Sequence, residues 1–246
     1  MGIKTSICLN DQHIPYHDIA ANKLVFKFIK HIKPDFVDML GDVLDFWQIS
    51  KFLGDPKRKD SIQKDINACK EYLKELRDLA PKAEIVFHYG NHVTRLKKYI
   101  WTNAKELDCI ESLDIKFLLG LDKLRIKSID TQEGFMVRGK LAMTHGTCVS
   151  QDSGATARRN LKKYGLSVIC GHTHRLGSTF KTDLRGITGA WENGCLCNLD
   201  LIKEWGRELA DWQQGISVID FHEDMFRVQQ INIIDNKMIF GKQVYT

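Results

Sequence analysis

Five short apolar runs, at 5–9, 36–40, 84–89, 140–144 and 166–170, each end directly in a polar fragment built from Asp, Asn, Gln, His and Gly. In order, these endings are Asp11-Gln12-His13, Gly41-Asp42-Val43-Leu44-Asp45, Gly90-Asn91-His92, His145 and Gly171-His172-Thr173-His174. Runs of this length, rich in β-branched and aromatic residues, read as buried strands. Strands that repeatedly stop at chemically active loops predict an α/β sheet with its functional side chains gathered at the strand ends.

The intervening sequence fixes how those strands connect. Amphipathic stretches lie at 22–31, 61–79, 94–107 and 155–164. In the second, Ile62, Ile66, Cys69, Leu73, Leu76 and Leu79 fall at helical spacing, and Pro81 follows just beyond. Strands alternating with helices predict parallel pairing through helical crossovers in the first half. From residue 124 onward the pattern changes to short runs at 124–129, 134–137, 186–190, 215–221 and 225–233, which read as hairpins and meanders. A mixed α/β sandwich of two sheets fits better than an open parallel sheet, and the stretch 201–246 is expected to close the second sheet.

Composition sets limits rather than function. With 246 residues, 43% hydrophobic and 27% charged, the chain can bury one large core, and no repeat or Pro/Gly/Ser linker divides it. One domain over residues 1–246 is expected. The 36 Lys and Arg exceed the 31 Asp and Glu to give +5, which favours anionic substrates without indicating nucleic acid by itself. Seven cysteines include no CxxC pair, so no disulfide framework is expected. No stretch approaches the roughly 20 apolar residues that cross a bilayer. A soluble, cytoplasmic protein without a membrane partner is the expectation.

Each polar fragment has a plain reading beside a functional one. Asp11 and His13, two apart at a strand end, can grip one cation, and a turn with an exposed histidine explains them equally well. Asp42 follows Gly41 and can bridge two cations, or cap a helix or turn. Asn91 offers a neutral carbonyl beside His92. His172 and His174 flank one small residue after an apolar run, and imidazole is a common metal ligand. Five of the nine histidines fall inside these fragments, leaving His17, His31, His88 and His222 as surface or satisfied structural histidines. Their concentration favours the functional reading.

The ordered set Asp-x-His, Gly-Asp-x-x-Asp, Gly-Asn-His, His and Gly-His-x-His, spanning residues 11 to 174, resembles the signature of the calcineurin-like metallophosphoesterase superfamily. Small members from bacteriophages and bacteria are similar around 175–200. The resemblance implies an α/β/β/α sandwich of four layers with a dinuclear metal site at the strand ends. It implies that Asp11, His13 and His174 hold one metal, Asn91, His145 and His172 the other, and that Asp42 bridges them. It also implies His92 as general acid, oriented by Asp45. Two divalent ions acidify a bridging water, so hydroxide attacks a phosphate ester without a covalent enzyme intermediate. Mixed O/N ligation suits Mn²⁺ first, with Fe, Zn²⁺ or Ni²⁺ as alternatives.

The departures narrow the substrate. Val93 stands where the family usually carries Asp or Glu. Phe46 and Tyr89 stand where the Ser/Thr phosphoprotein phosphatase branch carries arginines, which argues against that branch. Arg95 is expected to bind substrate phosphate as a bidentate donor, or to be a surface arginine. The segment 46–59, with Trp47, Lys51, Lys57, Arg58 and Lys59, reads as a basic aromatic lip, and Arg158, Arg159, Lys162 and Lys163 form a second basic patch. Cys195 and Cys197 read as strand residues rather than ligands. The leading expectation is a metal-dependent phosphodiesterase acting on DNA, RNA or a nucleotide. The alternatives are a small-molecule phosphomonoesterase with the same site, or a non-catalytic scaffold that keeps the fold.

Overall fold

A computed structural model describes residues 2–51, 61–130, 135–184, 186–200 and 211–246. Among them the helices are α1 (Ile19–Ile32), α2 (Ile62–Leu79), α3 (Arg95–Asn103), α4 (Ile115–Leu119) and α5 (Ala155–Tyr164). The strands are β1 (Lys4–Leu9), β2 (Phe36–Met39), β3 (Glu84–His88), β4 (Ile126–Ile129), β5 (Met136–Arg138), β6 (Leu141–Thr144) and β7 (Ser167–Cys170), then β8 (Leu176–Asp183), β9 (Gly186–Asn193), β10 (Gly215–His222), β11 (Met225–Asn232), β12 (Met238–Phe240) and β13 (Gln243–Tyr245).

Two mixed sheets result, one ordered β11-β10-β1-β2-β3-β4 and the other β5-β6-β7-β9-β8. The expected parallel pairing holds for β1 with β2, β2 with β3, and β6 with β7. Side-chain alternation along β1 then builds the layers. Ile7 and Leu9 join a core with Leu24, Phe28 and Ile29 of α1 and Leu73 and Leu76 of α2, whereas Cys8 faces Leu141, Met143, Ile169 and Trp191 of the second sheet. On that sheet's far side, Ala142, Val168 and Ala190 pack on Ala157 and Leu161 of α5. Helices, sheet, sheet and helix therefore stack as the four layers expected.

Caps explain where the helices start and stop. The Asp18 carboxylate accepts from the Ala21 amide at 2.9 Å to open α1, and Ser61 accepts from the Lys64 amide to open α2. Gly165 takes a left-handed φ of 65° to end α5. The stretch 94–107 is not one helix. α3 ends at Asn103 and a 3₁₀ segment follows at Lys105–Cys109. Only Ile100 of α3 is buried, too small an apolar face to hold a longer helix.

The C-terminal strands also differ from expectation. β10 and β11 extend the first sheet, not the second, because β10 pairs antiparallel with β1 and covers the edge that β2 leaves open. β12 and β13 form a separate hairpin whose Phe240 and Tyr245 rings pack on Phe28. β8 carries the polar sequence LGSTFKTD and is mostly exposed, so it lacks the apolar run by which the other strands were recognised.

Candidate metal centre

The loops after β1, β2, β3, β6 and β7 meet, and backbone hydrogen bonds hold the first two together. Amides of Asp11, His13 and Ile14 donate to the carbonyls of Gly41, Asp42 and Val43 at 3.0, 2.9 and 2.8 Å. Asp11, His13, Asp42, His172 and His174 all have positive φ, between 50° and 74°. Non-glycine residues rarely adopt this region, and their concentration at one place marks a site whose side-chain directions the fold enforces. Two glycines make room for the approach. A Cβ on Gly90 would overlap the Asp42 carboxylate, and one on Gly41 would overlap the His145 ring.

Two donor clusters form. In the first, Oδ1 of Asp11 lies 3.1 Å from Nε2 of His174 and 3.5 Å from Nε2 of His13, and those two nitrogens are 3.0 Å apart. In the second, Nε2 of His145 lies 2.9 Å from Oδ1 of Asn91, 3.1 Å from Oδ2 of Asp42 and 3.2 Å from Nδ1 of His172. These clusters bring together all seven residues that the resemblance names as ligands. The carboxylates are also held from behind: Oδ2 of Asp11 accepts the His172 amide and Oδ1 of Asp42 accepts the His92 amide, both at 2.8 Å.

Proton positions show what such clusters suit. Nδ1 of His145 faces the Leu40 carbonyl at 3.0 Å and must donate to it, so in the neutral ring the lone pair is on Nε2. That lone pair points among further acceptors from Asn91 and Asp42. Nδ1 of His13 similarly donates to Oδ2 of Asp45 at 3.0 Å, which turns the lone pair of Nε2 toward the Asp11 carboxylate. With these rings neutral the converging acceptors fit divalent cations, and the histidines' outer nitrogens are oriented as metal ligands require.

With no cation present, the carboxylates instead favour protons on two of these rings. Burial alone would raise the carboxyl pKa values, but the charge of His174 at Asp11 and of His145 at Asp42, and hydrogen bonds from His13 and His92 at Asp45, hold all three below the usual carboxylate range. Burial would lower His13 and His145; hydrogen bonds to Asp11 and Asp45 raise the former, and the Asp42 charge raises the latter. Burial, reinforced by His145, lowers His172 to about 4, and burial lowers His174 against the opposing charge of Asp11.

His92 sits beside the clusters. Its side chain is 22% exposed, against 2% for Asp42, so it faces the open side of the site. Nδ1 is 2.9 Å from Oδ2 of Asp45, and Nε2 is 3.9 Å from Oδ2 of Asp42. Arg95 is not an isolated surface residue. Its Nη1 donates to the Asp45 carbonyl and to Oδ1 of Asp45, at 2.9 and 3.0 Å, and Nη2 donates to Nε2 of His92 at 3.1 Å. Val93 is fully buried in the main core, where a carboxylate would lose its hydration.

Some features escaped the sequence. The Trp212 ring packs edge-on against His174 at 3.9 Å, and Cys195 and Cys197 lie beside the same histidine. No local motif announces either approach, because both are made by tertiary packing. His88 is neither a surface nor a satisfied histidine: it is fully buried with both ring nitrogens unpaired. Residues 52–59 of the basic lip lie outside the described residues. Phe46 at the lip's start is fully buried, and Arg158, Arg159, Lys162 and Lys163 are exposed on α5.

No family model matches the chain. The Gene 54 protein of Mycobacterium phage L5 is 27% identical over 256 residues, an alignment covering 98% of both chains. Among solved structures, Vacuolar Protein Sorting 29 from Cryptosporidium parvum superposes with a TM-score of 0.51 at 13% identity, covering 99% of this chain and 98% of the other. The fold is that of the calcineurin-like metallophosphoesterases. A Vps29 single mutant from Entamoeba histolytica shares this metallophosphoesterase fold with a TM-score of 0.50 at 12% identity, covering 98% and 99% of the two chains. No helix among the described residues is long and apolar enough to cross a membrane.

Proposed function

We propose that the protein is a metal-dependent phosphoesterase that hydrolyses phosphodiesters of nucleic acids or nucleotides. The observation that carries this reading is the convergence of ligand-type atoms, Nε2 of His13 and of His145 against Asp11, Asp42 and Asn91, beside the more exposed His92. Asp11, His13 and His174 would hold one divalent ion and Asn91, His145 and His172 the other. Asp42 would be shared by both ions, its Oδ1 accepting the His92 amide and its Oδ2 facing His145. Mn²⁺ is the preferred ion, with Fe, Zn²⁺ or Ni²⁺ able to use the same donors. When bound, the pair supplies charge for phosphate oxygens and acidifies a water for in-line attack.

The chain's own groups then handle the leaving group. Asp45 holds Nδ1 of His92 and thereby directs Nε2 toward the site; once Arg95 releases that nitrogen, it takes up a proton from solvent and passes it to the departing oxygen. Arg95 steadies this pair at rest. To contact phosphate, its Nη2 must leave Nε2 of His92, which frees that nitrogen at the moment substrate arrives. The exposed cations on α5 and the net charge of +5 favour an extended anion over a small neutral ester.

Chromogenic mono- and diesters, cyclic nucleotides, and single- and double-stranded DNA and RNA, each assayed with Mn²⁺, test this reading. Diester and nucleic-acid hydrolysis is expected. Turnover of monoesters alone would replace it with the phosphomonoesterase reading. The solved neighbours named for vacuolar protein sorting favour a non-catalytic scaffold as the alternative. That alternative wins if the metal-loaded protein hydrolyses none of these substrates and His92→Asn changes nothing measurable.

A further inference from the structure

One group of donors beside the paired clusters adds sulfur to imidazole, with Sγ of Cys195 donating to the Gln213 carbonyl at 3.5 Å. A ring nitrogen of His174 and the sulfurs of Cys195 and Cys197 all lie within 4.8 Å of one another. The three residues are 7%, 0% and 4% exposed. Nε2 of His174 is engaged with Asp11 and His13, so Nδ1 is the nitrogen left over, and it is buried with no hydrogen-bond partner. An unpaired buried polar atom is costly unless something else satisfies it. The edge of Trp212 closes this side of the ring, and Trp212 and Leu199 pack around both cysteines.

We propose that Cys195, Cys197 and Nδ1 of His174 form a site for one thiophilic d¹⁰ cation, Zn²⁺ in kind, distinct from the paired site. Two sulfurs and an imidazole are the donors that such an ion prefers, whereas the paired site offers carboxylate, amide and imidazole donors that suit harder ions. These donors, all within 4.8 Å of one another, would close on the ion to ordinary Zn–S and Zn–N lengths of about 2.3 and 2.0–2.1 Å. Each thiol gives up its proton to solvent as the ion binds, and where the paired site is filled as well the His174 ring, ligated through both nitrogens, gives up its last proton too. Burial pushes the Cys195 thiol up, so that group rests as a thiol until a cation displaces its proton. His174 belongs to both sites, and a soft ion here therefore fixes the ring that the first cluster uses.

Metal-free protein titrated with Cd²⁺ tests the proposal through thiolate-to-cadmium ultraviolet absorption. A band saturating at one ion per chain is expected in the wild type, in Asp42→Ala and in a Cys109→Ser/Cys148→Ser background, the last removing the two cysteines that are not buried. The band is expected to vanish in Cys195→Ser/Cys197→Ser. X-ray absorption of the wild type with one equivalent of Zn²⁺ covers the case in which that double variant fails to fold, and two sulfur neighbours at about 2.3 Å are expected. Absence of the band from the wild type, its survival in the folded double variant, or zinc surrounded by nitrogen and oxygen alone would overturn the site. None of these outcomes bears on hydrolysis, so the phosphoesterase reading stands or falls separately.

Discussion

Oδ2 of Asp45 accepts from Nδ1 of His13 at 3.0 Å, and the same oxygen serves Nδ1 of His92 at 2.9 Å. One carboxylate oxygen thus orients a candidate ligand and the candidate proton donor together. Asp45→Ala is expected to weaken binding of the first metal by about 10–100-fold, the usual effect of losing an outer partner of a ligating histidine. Turnover should fall as well, by about 10²-fold. Calorimetric Mn²⁺ titration alongside kcat measurement checks this, and unchanged metal affinity would show that His13 is held by other means.

Asp42 and His92 should separate cleanly. Asp42→Ala removes the oxygen that faces His145 and should leave fewer than two ions bound, with no measurable hydrolysis. His92→Asn should keep both ions while kcat drops by about 10²–10⁴-fold. Elemental analysis of dialysed variants decides it. Equal metal loss in both would contradict the assigned roles.

Gly90 tests the tight approach of the third loop to the second. A methyl group there overlaps Oδ1 of Asp42, the atom that accepts the His92 amide. Gly90→Ala should destabilise the fold by about 1–3 kcal/mol through overpacking and also displace Asp42. Loss of Mn²⁺ binding together with a lower urea midpoint is the expected pair of results; a normal metal titration would mean that the loops are looser than drawn.

His88 should leave a mark on the acid limb of stability. Burial, with neighbouring His145 and Arg138, lowers its pKa from 6.5 to about 3. Below pH 6.5 the unfolded chain therefore binds a proton that the folded chain refuses, so stability falls as pH drops toward about 3. The slope contributed is at most about 1.4 kcal/mol per pH unit. His88→Leu removes both unpaired nitrogens and should flatten this limb without loss of stability at neutral pH. Urea unfolding at several pH values measures it, and parallel curves for variant and wild type would refute the assignment.

Much of the site was legible because its chemistry is carried by residue identity at strand ends. The five fragments name their donors directly, and the apolar runs before them place β1, β2, β3, β6 and β7. Roles that depend on a neighbour from elsewhere in the chain were not legible. Arg95 reads as a phosphate donor in isolation, yet at rest its guanidinium is committed to Asp45 and His92. Val93 reads as a missing acid, yet its position lies inside the core.

The sequence by itself determined the alternation of strands and helices and which oxygen and nitrogen donors stand at their ends, because periodicity and residue type are local properties. Only the tertiary structure decided that β10 covers the open edge of β1, that Cys195 and Cys197 reach His174, and which nitrogen of His13 and of His145 keeps its lone pair. Edge pairing, packing and tautomer each depend on atoms distant in sequence. Five left-handed backbone positions complete the site, and that strain persists only where the surrounding loops enforce it.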